Sequence, residues 1–203
     1  MKAVTLKAVS DRAAAGSSKL YGNPDVPEDF QWPSIIDEDD IYDLSFMCQI
    51  NLWELSGVCP DSPLPPDGML YFFYDLDAMA FSPFDTTAAR VILCRGNEPL
   101  DELCLQDEDG NDLCNPVRKL TAVLSEDASL QNGDGHRLFG LPLGYDTEAY
   151  CRPIEGWVML LQIDSTDTVK FESDGALCFF IERERLAAAD FSDIRVMIIP
   201  RGE

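Results

Sequence analysis

Two short segments of the chain carry the same polar pattern, in which a glutamine and an isoleucine are followed by an asparagine or an aspartate. The pattern runs from Gln49 to Asn51 and again from Gln162 to Asp164. In a strand, residues two apart share a face, so the two polar side chains of each segment point the same way. One interpretation is structural, because buried amides satisfy backbone groups of a scaffold. The other is a cleft between two related halves in which these side chains converge on a ligand.

Two basic residues stand at matching positions and extend this candidate cleft. Lys19 and Arg137 each precede a leucine, an aromatic residue and a glycine. We expect them either to pair with carboxylates of their own half or to capture an anionic ligand. The candidate cleft then comprises Gln49, Asn51, Gln162, Asp164, Lys19 and Arg137.

Few residues support a catalytic centre. His136 is the single histidine, which excludes a metal site built from two or more imidazoles. A serine or cysteine nucleophile paired with His136 stays open, and Cys151 is near it in the sequence. The chain has no G-x-S-x-G elbow, no P-loop and no G-x-G-x-x-G motif. We therefore expect a non-catalytic protein without a cofactor, and a hydrolase is the least favoured alternative.

Two acidic runs, 37–40 and 107–112, have the composition of cation-binding loops. The second run resembles a calcium loop, but its glycine comes too early in the run and Arg118 stands where the bidentate acid belongs. The seven cysteines contain no C-x-x-C pair, and several lie in apolar runs typical of buried thiols. We expect solvated loops and no metal site.

Negative charge is concentrated in the first half of the chain. The protein has 203 residues, with 37 Asp and Glu against 15 Lys and Arg, and a formal net charge of -22. No lysine or arginine occurs in the seventy residues between Lys19 and Arg90, which hold fourteen acids. This field opposes binding to nucleic acid and to anionic membranes. One interpretation is that it attracts a basic protein partner, and the other is that it keeps the surface solvated and the protein soluble.

We expect first contact with such a partner at residues 25–43, where aromatic side chains accompany the acids. Large aromatic residues provide the anchors of many protein interfaces. The predicted binding residues are Asp37, Glu38, Asp39, Asp40, Asp43, Trp32 and Tyr42, with Phe30 as a further anchor.

The compartment is predicted from apolar runs and cysteines. No run approaches the ~20 apolar residues of a membrane-spanning helix. Lys7, Asp11 and Arg12 interrupt the apolar core that a signal peptide needs. We expect a cytoplasmic protein whose cysteines stay reduced.

Several motifs recur in the same order along the chain. Residues 19–24 are matched by 137–142, 67–73 by 174–180, and 90–93 by 195–198. Repetition in a fixed order indicates related structural units. We predict a single domain over 1–203, made of halves at about 18–95 and 136–200 that an irregular acidic segment, 96–135, connects.

Short runs of β-branched and aromatic residues predict most of the secondary structure. The predicted strands are 3–9, 46–52, 69–74, 90–95, 157–163, 176–181 and 195–199. Residues 183–190 are rich in helix formers and predict one helix, and 53–55 predict the start of a short turn. The expected fold is mainly β and internally duplicated, with antiparallel sheets and few short helices.

Several segments resemble the YwqG-like family, a bacterial domain family. The matching stretches are SKLYGNPDVPEDFQWP (18–33), FMCQINLWEL (46–55), LPPDGMLYFFYD (64–75), HRLFGLP (136–142), VMLLQIDS (158–165) and GALCFFIERERLAAADFSDIRV (175–196). The resemblance implies a mainly-β domain without an established activity, and it transfers no catalytic residues. Members of the family tend to be found near secreted-toxin genes, which by analogy implies an immunity-type neutraliser of a basic toxin such as a nuclease. A domain that binds a small ligand or a metal in the cleft between the halves is the alternative.

Overall fold

Strands dominate the part of the chain that the computed structural model describes, namely residues 3–37, 40–78, 88–96, 98–124, 135–144 and 156–201. The strands are β1 (Val4–Ser10), β2 (Lys19–Leu20), β3 (Asp25–Val26), β4 (Ser34–Asp37), β5 (Asp40–Asp43), β6 (Ser45–Asn51), β7 (Met69–Tyr74), β8 (Ala89–Cys94), β9 (Asp101–Glu102), β10 (Arg118–Leu124), β11 (Arg137–Leu138), β12 (Trp157–Asp164), β13 (Ala176–Glu182) and β14 (Arg195–Ile199). Within those residues there are two α-helices, α1 (Leu52–Val58) and α2 (Arg183–Ala188), and a 3₁₀ turn at Glu172–Asp174.

Ten of the strands form one antiparallel sheet. Their spatial order is β14-β13-β12-β11-β1-β10-β2-β6-β7-β8. The order is symmetric about the central pair β1–β10, because four strands from the second half of the chain lie on one side of it and four from the first half lie on the other. Two small antiparallel sheets, β3–β9 and β4–β5, lie outside it.

The large sheet curls round until its far strands meet. Phe72 of β7 and Phe179 of β13 are separated by six intervening strands, yet their ring centroids are 5.3 Å apart. In a flat sheet the seven steps between those strands would span about 34 Å. Arg90 of β8 also lines a concavity together with Phe191 and Arg195 at the start of β14. The sheet therefore forms a nearly closed cylinder around a shared core.

The apolar runs in β7 and β13 are continuous because both faces of these strands are covered. In β7, Leu70 and Phe72 belong to the central core, whereas Tyr71 and Phe73 belong to a second cluster on the outer face. Side chains alternate between the faces of a strand, so a strand buried on both sides is apolar throughout. The outer face of β13 carries a corresponding cluster that includes Phe180.

Two glycines allow neighbouring backbones to approach closely where β7 and β13 begin. A Cβ atom on Gly68, whose φ is +105°, would lie 2.6 Å from the carbonyl oxygen of Cys94. A Cβ atom on Gly175 would lie 2.1 Å from the carbonyl oxygen of Ile199. Real Cβ atoms do not approach backbone atoms so closely, so each glycine admits the edge strand beside it.

The mainly-β prediction with antiparallel sheets and few helices is confirmed. The predicted runs 69–74 and 195–199 coincide with β7 and β14. The segment 96–135, expected to be irregular, contains β10, which lies at the centre of the sheet and pairs with β1. No helix in the described ranges is both long and apolar enough to cross a membrane.

Candidate functional site

Gln49 and Lys19 lie opposite each other on β6 and β2 and meet at a buried carboxylate, that of Asp25. The amide of Gln49 accepts from the backbone N–H of Asp25 at 2.9 Å and donates to the carbonyl oxygen of Ser17 at 2.9 Å. Its Nε2 also donates to Oδ2 of Asp25, at 2.9 Å. Gln49 is fully buried. Its amide is therefore committed to the protein's own backbone and to one carboxylate.

The Asp25 carboxylate gathers three donors at one oxygen atom. Oδ2 is 2.9 Å from Nζ of Lys19, and the backbone N–H of Gly16 donates to it at 2.9 Å, in addition to Gln49. The Lys19 and Asp25 side chains are 5 % and 3 % exposed. A buried charge is tolerated when it is paired and hydrogen-bonded, as it is here. We call Lys19, Asp25 and Gln49 the buried triad.

The second half repeats the glutamine, with an uncharged residue at the position equivalent to Asp25. Gln162 pairs with Arg137 across β12 and β11, accepts from the backbone N–H of Leu143 at 2.8 Å, and donates to the carbonyl oxygen of Gly135 at 3.0 Å. Leu143 thus occupies the position that Asp25 has in the first half, and it carries no charge. Asp164 follows Gln162 by two residues on β12.

Asp164 binds two groups near the end of β12. Its Oδ2 accepts from the backbone N–H of Gly135 at 2.8 Å, and its Oδ1 lies 2.7 Å from the guanidinium of Arg201. The corresponding residue, Asn51, donates to the carbonyl oxygen of Gly16 at 2.7 Å and caps α1 by accepting from the backbone N–H of Trp53 and Glu54. Both residues therefore hold the turn that precedes the opening strand of their half.

His136 acts as a hydrogen-bond acceptor within the sheet. Its Nδ1 accepts from the backbone N–H of Asp164 at 3.1 Å, just as the hydroxyl of Ser18 accepts from the backbone N–H of Asn51 at 3.0 Å. Burial lowers the pKa of His136, and the nearby Asp164 carboxylate opposes that shift. The imidazole is therefore uncharged at neutral pH, and its Nδ1 is already engaged in the hydrogen bond with Asp164. Cys151, the nucleophile considered with it, lies outside the described residues.

The six residues predicted to line a cleft form two separate groups. Gln49 is on β6 and Gln162 is on β12, with four strands between them in the sheet. Both glutamines are fully buried, and each binds the backbone of its own half. This arrangement favours the structural interpretation of the repeated glutamine. Lys19 likewise pairs with a carboxylate of its own half.

The acidic segment predicted to bind a partner forms a hairpin outside the large sheet. Strands β4 and β5 pair antiparallel, and we call this pair of strands the acidic hairpin. Ile36 and Ile41 are direct cross-strand partners and are 76 % and 69 % exposed. Tyr42 is 51 % exposed, and its hydroxyl lies 3.3 Å from Oδ2 of Asp40. Large aliphatic side chains are rarely so exposed when they serve a protein's own core.

Three of the five predicted acids lie on these two strands. Asp40 begins β5 and Asp43 ends it, and both are exposed. Asp37 ends β4. Glu38 and Asp39 lie outside the described residues. The sequence pointed to the acids and to Tyr42 but not to the exposed isoleucine pair, whose members stand on either side of the acidic run 37–40.

Phe30 and Trp32, predicted as anchors for a partner, pack on the protein itself. The Trp32 ring meets Phe73 edge-on at 5.2 Å, and its indole N–H donates to the carbonyl oxygen of Leu44 at 2.9 Å. Phe30 lies against Tyr71 at 5.2 Å and against Phe73 at 6.1 Å. Both rings are partly buried on the outer face of β7, so they fix the base of the acidic hairpin.

A comparison with known families gives one match. Residues 18–198 match a family described as Domain of unknown function (DUF1963). The chain belongs to the DUF1963 family. A search of curated proteins found no match. The matched range of the DUF1963 domain begins before β2 and ends within β14, so it includes both glutamine sites and the acidic hairpin but not β1.

The second acidic run of the DUF1963 domain closes on itself. The side-chain amide of Asn111 donates to Oδ2 of Asp107 at 2.9 Å, and the backbone N–H groups of Asn111 and Asp109 donate to Oδ1 at 2.8 Å and 2.9 Å. These bonds, the Asn111 side chain first, lower the pKa of Asp107. Its carboxylate oxygens thus point at their own loop. Among the described residues, no group of three or more histidine, cysteine or acidic side chains is arranged to hold a metal ion.

One concavity of about 400 Å³ opens on the DUF1963 domain beside Asn51. Trp53, which is 74 % exposed, lies at this concavity. Three acids, Asp29, Asp67 and Glu98, also line it, together with Arg95. An exposed indole among carboxylates suits a cationic group, because a cation is attracted both to the ring face and to the acids.

Proposed function

We propose that this DUF1963 domain acts by binding a basic protein partner through the acidic hairpin. The observation that carries the proposal is the cross-strand pair of Ile36 and Ile41, each more than two-thirds exposed on a hairpin that lies outside the main sheet. An apolar patch with a polar rim is typical of the centre of a protein interface. Here the rim is formed by carboxylates, which selects a cationic partner.

Charge supports both the sign of the partner and the way it is reached. The seventy residues from 20 to 89 contribute -14 of the net charge of -22, and the acidic hairpin lies within them. A field of one sign accelerates the encounter of oppositely charged proteins and weakens as salt is added. The apolar pair then contributes to the lifetime of the complex, because its burial takes place only after contact.

The base of the acidic hairpin is held firmly, which lowers the entropy lost on binding. Trp32 donates to the carbonyl oxygen of Leu44, and the backbone N–H of Leu44 donates to the carbonyl oxygen of Pro33 at 3.0 Å. The Trp32 ring packs on Phe73 of the large sheet. The two strands therefore leave the sheet at a fixed place and present their exposed residues together.

The finer assignment is an immunity-type role in the cytoplasm, in which the protein neutralises a basic toxin such as a nuclease. Its support is the resemblance to the YwqG-like family, whose members tend to be found near secreted-toxin genes, together with the acidity of the hairpin. Acids that mimic the charge of a nucleic acid would cover a basic active site.

The experiment compares three variants with the wild-type protein. Ile36→Ser/Ile41→Ser removes the apolar pair, Asp40→Lys/Asp43→Lys reverses the charge, and Glu108→Lys/Asp109→Lys makes the same change of charge on an exposed loop elsewhere. Proteins captured from the native host by each variant are quantified by mass spectrometry. The binding kinetics of each purified candidate partner are then measured at several salt concentrations.

The proposal expects a basic protein whose capture is lost in both hairpin variants and kept in the loop control. Loss of two buried isoleucines costs about 2–4 kcal/mol, or about a thirty- to thousandfold rise in Kd, mainly through faster dissociation. Charge reversal should instead slow association and flatten its salt dependence. Equal capture by the hairpin variants and by the loop control would refute the proposal.

A second candidate function is the binding of a small cationic ligand at the concavity beside Asn51. The exposed Trp53 ring and three lining carboxylates favour it. Calorimetric titration with spermidine tests it, with Trp53→Ala as the variant and Trp32→Phe as a control at an indole outside the concavity. Equal heats for the wild-type protein and for Trp53→Ala would remove this candidate.

A further inference from the structure

Two cysteines face each other across a short antiparallel hairpin that follows β9. The backbone N–H of Asp107 donates to the carbonyl oxygen of Asn111, and that of Leu113 donates to the carbonyl oxygen of Leu105. Gln106 and Asp112 form the bridge between these bonds. From one pair of this register to the next, one residue number falls by one while the other rises by one. The next pair outward from Leu105 and Leu113 is therefore Cys104 opposite Cys114.

The side chains of this hairpin agree with that register. Gln106 donates to Asp112 across the hairpin at 3.0 Å. The thiol of Cys104 interacts with the same Asp112 carboxylate and with Cys114. Side chains two apart in a strand share a face, so Cys104, Gln106, Asp112 and Cys114 lie on one side of the hairpin.

The pair occupies the position in the ladder where opposite side chains are nearest. The hydrogen bonds run through the pairs 105/113 and 107/111, so 106/112 and 104/114 are non-hydrogen-bonded pairs. At such pairs the Cα atoms are about 4.5 Å apart, within the range that a disulfide spans.

Bonds on the outer side also keep the two strands of the hairpin together. The backbone N–H of Leu103 donates to the carbonyl oxygen of Pro24 at 2.9 Å, and that of Gly22 donates to the carbonyl oxygen of Asn115 at 2.9 Å. Leu103 and Asn115 are thus bound to Pro24 and Gly22, which are only two residues apart in the chain. The cysteine pair lies between this anchor and the hydrogen bonds of the hairpin, which together limit how far the two cysteines move apart.

We propose that Cys104 and Cys114 are a redox-active pair that forms a reversible intramolecular disulfide. Cys114 is exposed and Cys104 is partly buried, whereas Cys48 and Cys178 are fully buried. The accessible thiol therefore reacts first and the neighbouring thiol resolves it. In a reducing compartment such disulfides are transient and serve redox sensing.

The oxidant is a low-molecular-weight disulfide such as oxidised glutathione. The thiolate of Cys114 attacks one glutathione sulfur, which forms a mixed disulfide and releases one glutathione thiolate. The thiolate of Cys104 then attacks the Cys114 sulfur and releases the second glutathione. The two cysteines lose two electrons, the glutathione disulfide gains them, and the two thiol protons pass to the released thiolates.

Asp112 controls the rate of this exchange. Its hydrogen bond, together with burial and its charge, raises the pKa of Cys104 to about 11. Burial together with Asp112 and Glu102 raises the pKa of Cys114. Both thiols are therefore protonated at neutral pH. The exchange should accelerate as the pH rises towards 9, and it should be faster at neutral pH in Asp112→Asn, which removes the charge.

The test incubates the folded protein with oxidised glutathione, blocks free thiols with an alkylating reagent and analyses peptides by mass spectrometry. Trypsin leaves both cysteines in one peptide, because no lysine or arginine lies between Arg95 and Arg118. A disulfide makes that peptide two hydrogens lighter and resistant to alkylation until it is reduced. Further cleavage after Glu108, which lies between the two cysteines, gives two fragments that the disulfide keeps joined.

The variants separate the pair from other thiol chemistry. We expect Cys104→Ser to retain one glutathione on Cys114, Cys114→Ser to stay unmodified at Cys104, and Cys94→Ser to form the disulfide as the wild-type protein does. A disulfide-linked dimer through Cys114 would overturn the proposal. So would a wild-type peptide that remains fully alkylated after equilibration at pH 9.

Discussion

Asp25→Ala removes the carboxylate around which the buried triad is organised. It leaves Lys19, whose side chain is 5 % exposed, without its ion-pair partner, and it removes the acceptor of the Gly16 N–H and of the Gln49 amide. Breaking a buried ion pair from one side costs about 3–5 kcal/mol, because the remaining charge stays buried. A domain of this kind has about 5–15 kcal/mol of stability in total. We therefore expect a loss of about 4 kcal/mol, a large part of the whole.

The measurement is urea unfolding followed by tryptophan fluorescence, with the slope of the transition compared between variants. Lys170→Ala serves as the control, because it breaks an ion pair of 2.7 Å in which both side chains are more than 60 % exposed. The midpoint of that variant should stay close to that of the wild-type protein, since exposed pairs contribute little.

A double variant separates the ion pair from simple packing. Lys19→Met/Asp25→Leu replaces both charges by apolar side chains, so no unpaired charge is left buried. We expect it to be more stable than Asp25→Ala, because the two substitutions are coupled through one contact. If Asp25→Ala unfolds at the same urea concentration as Lys170→Ala, the account of the triad is wrong.

Two further predictions concern backbone and pH. Gly68→Ala should destabilise the fold by about 2 kcal/mol in the same urea assay, because φ is +105° and the new Cβ would meet the Cys94 carbonyl oxygen. Gly57→Ala on α1 should instead stabilise it by about 0.5–1 kcal/mol, because a Cβ there meets nothing within 4 Å. The lowered pKa of His136 means that the unfolded chain binds a proton more readily, so stability is full above about pH 6.5 and falls as the pH drops through the window below it. His136→Asn keeps an acceptor for the N–H of Asp164 and should flatten this window in unfolding curves from pH 5.5 to 7.5. An unchanged pH profile in that variant would contradict the assignment.

The strands that could be predicted from the sequence are those with strong local patterns. β7 and β14 are apolar runs bounded by glycine, proline or acidic residues, and their bounds agree with the prediction. β2 and β11 have two residues each, so no periodicity can reveal them. β10 lies in a segment read as irregular, because its exposed residues hide the buried Leu120.

The candidate site was predictable in part. The repeated glutamine marked the positions of Gln49 and Gln162, and the acidic run marked the hairpin. Asp25 was hidden, because fourteen acids in that interval look alike in the sequence and only one of them is brought against Lys19 and Gln49 by the sheet. Asp25 and Gln49 are 24 residues apart in the chain, so no local sequence pattern shows that they make contact.

The internal duplication remains a prediction, and we propose it as the origin of the sheet order. Its support is that Lys19 pairs with Gln49 as Arg137 pairs with Gln162. Tyr21 and Phe139, which follow these openings, also share a left-handed backbone with φ of 56° and 59°. Solving the structures of the separate halves would test whether each keeps its four-strand order.

The central position of β1 has a consequence for synthesis. This strand pairs with β10 and with β11, which connect it to the first-half and second-half strands. More than one hundred residues separate the end of β1 from the start of β10, so at ribosomal rates β1 waits roughly 5–20 s for its first partner. A chain trimmed to residues 18–198, the range of the family match, would lack the strand that joins the two sets. Until the middle of the chain has emerged, β1 has neither of its two partners in the sheet.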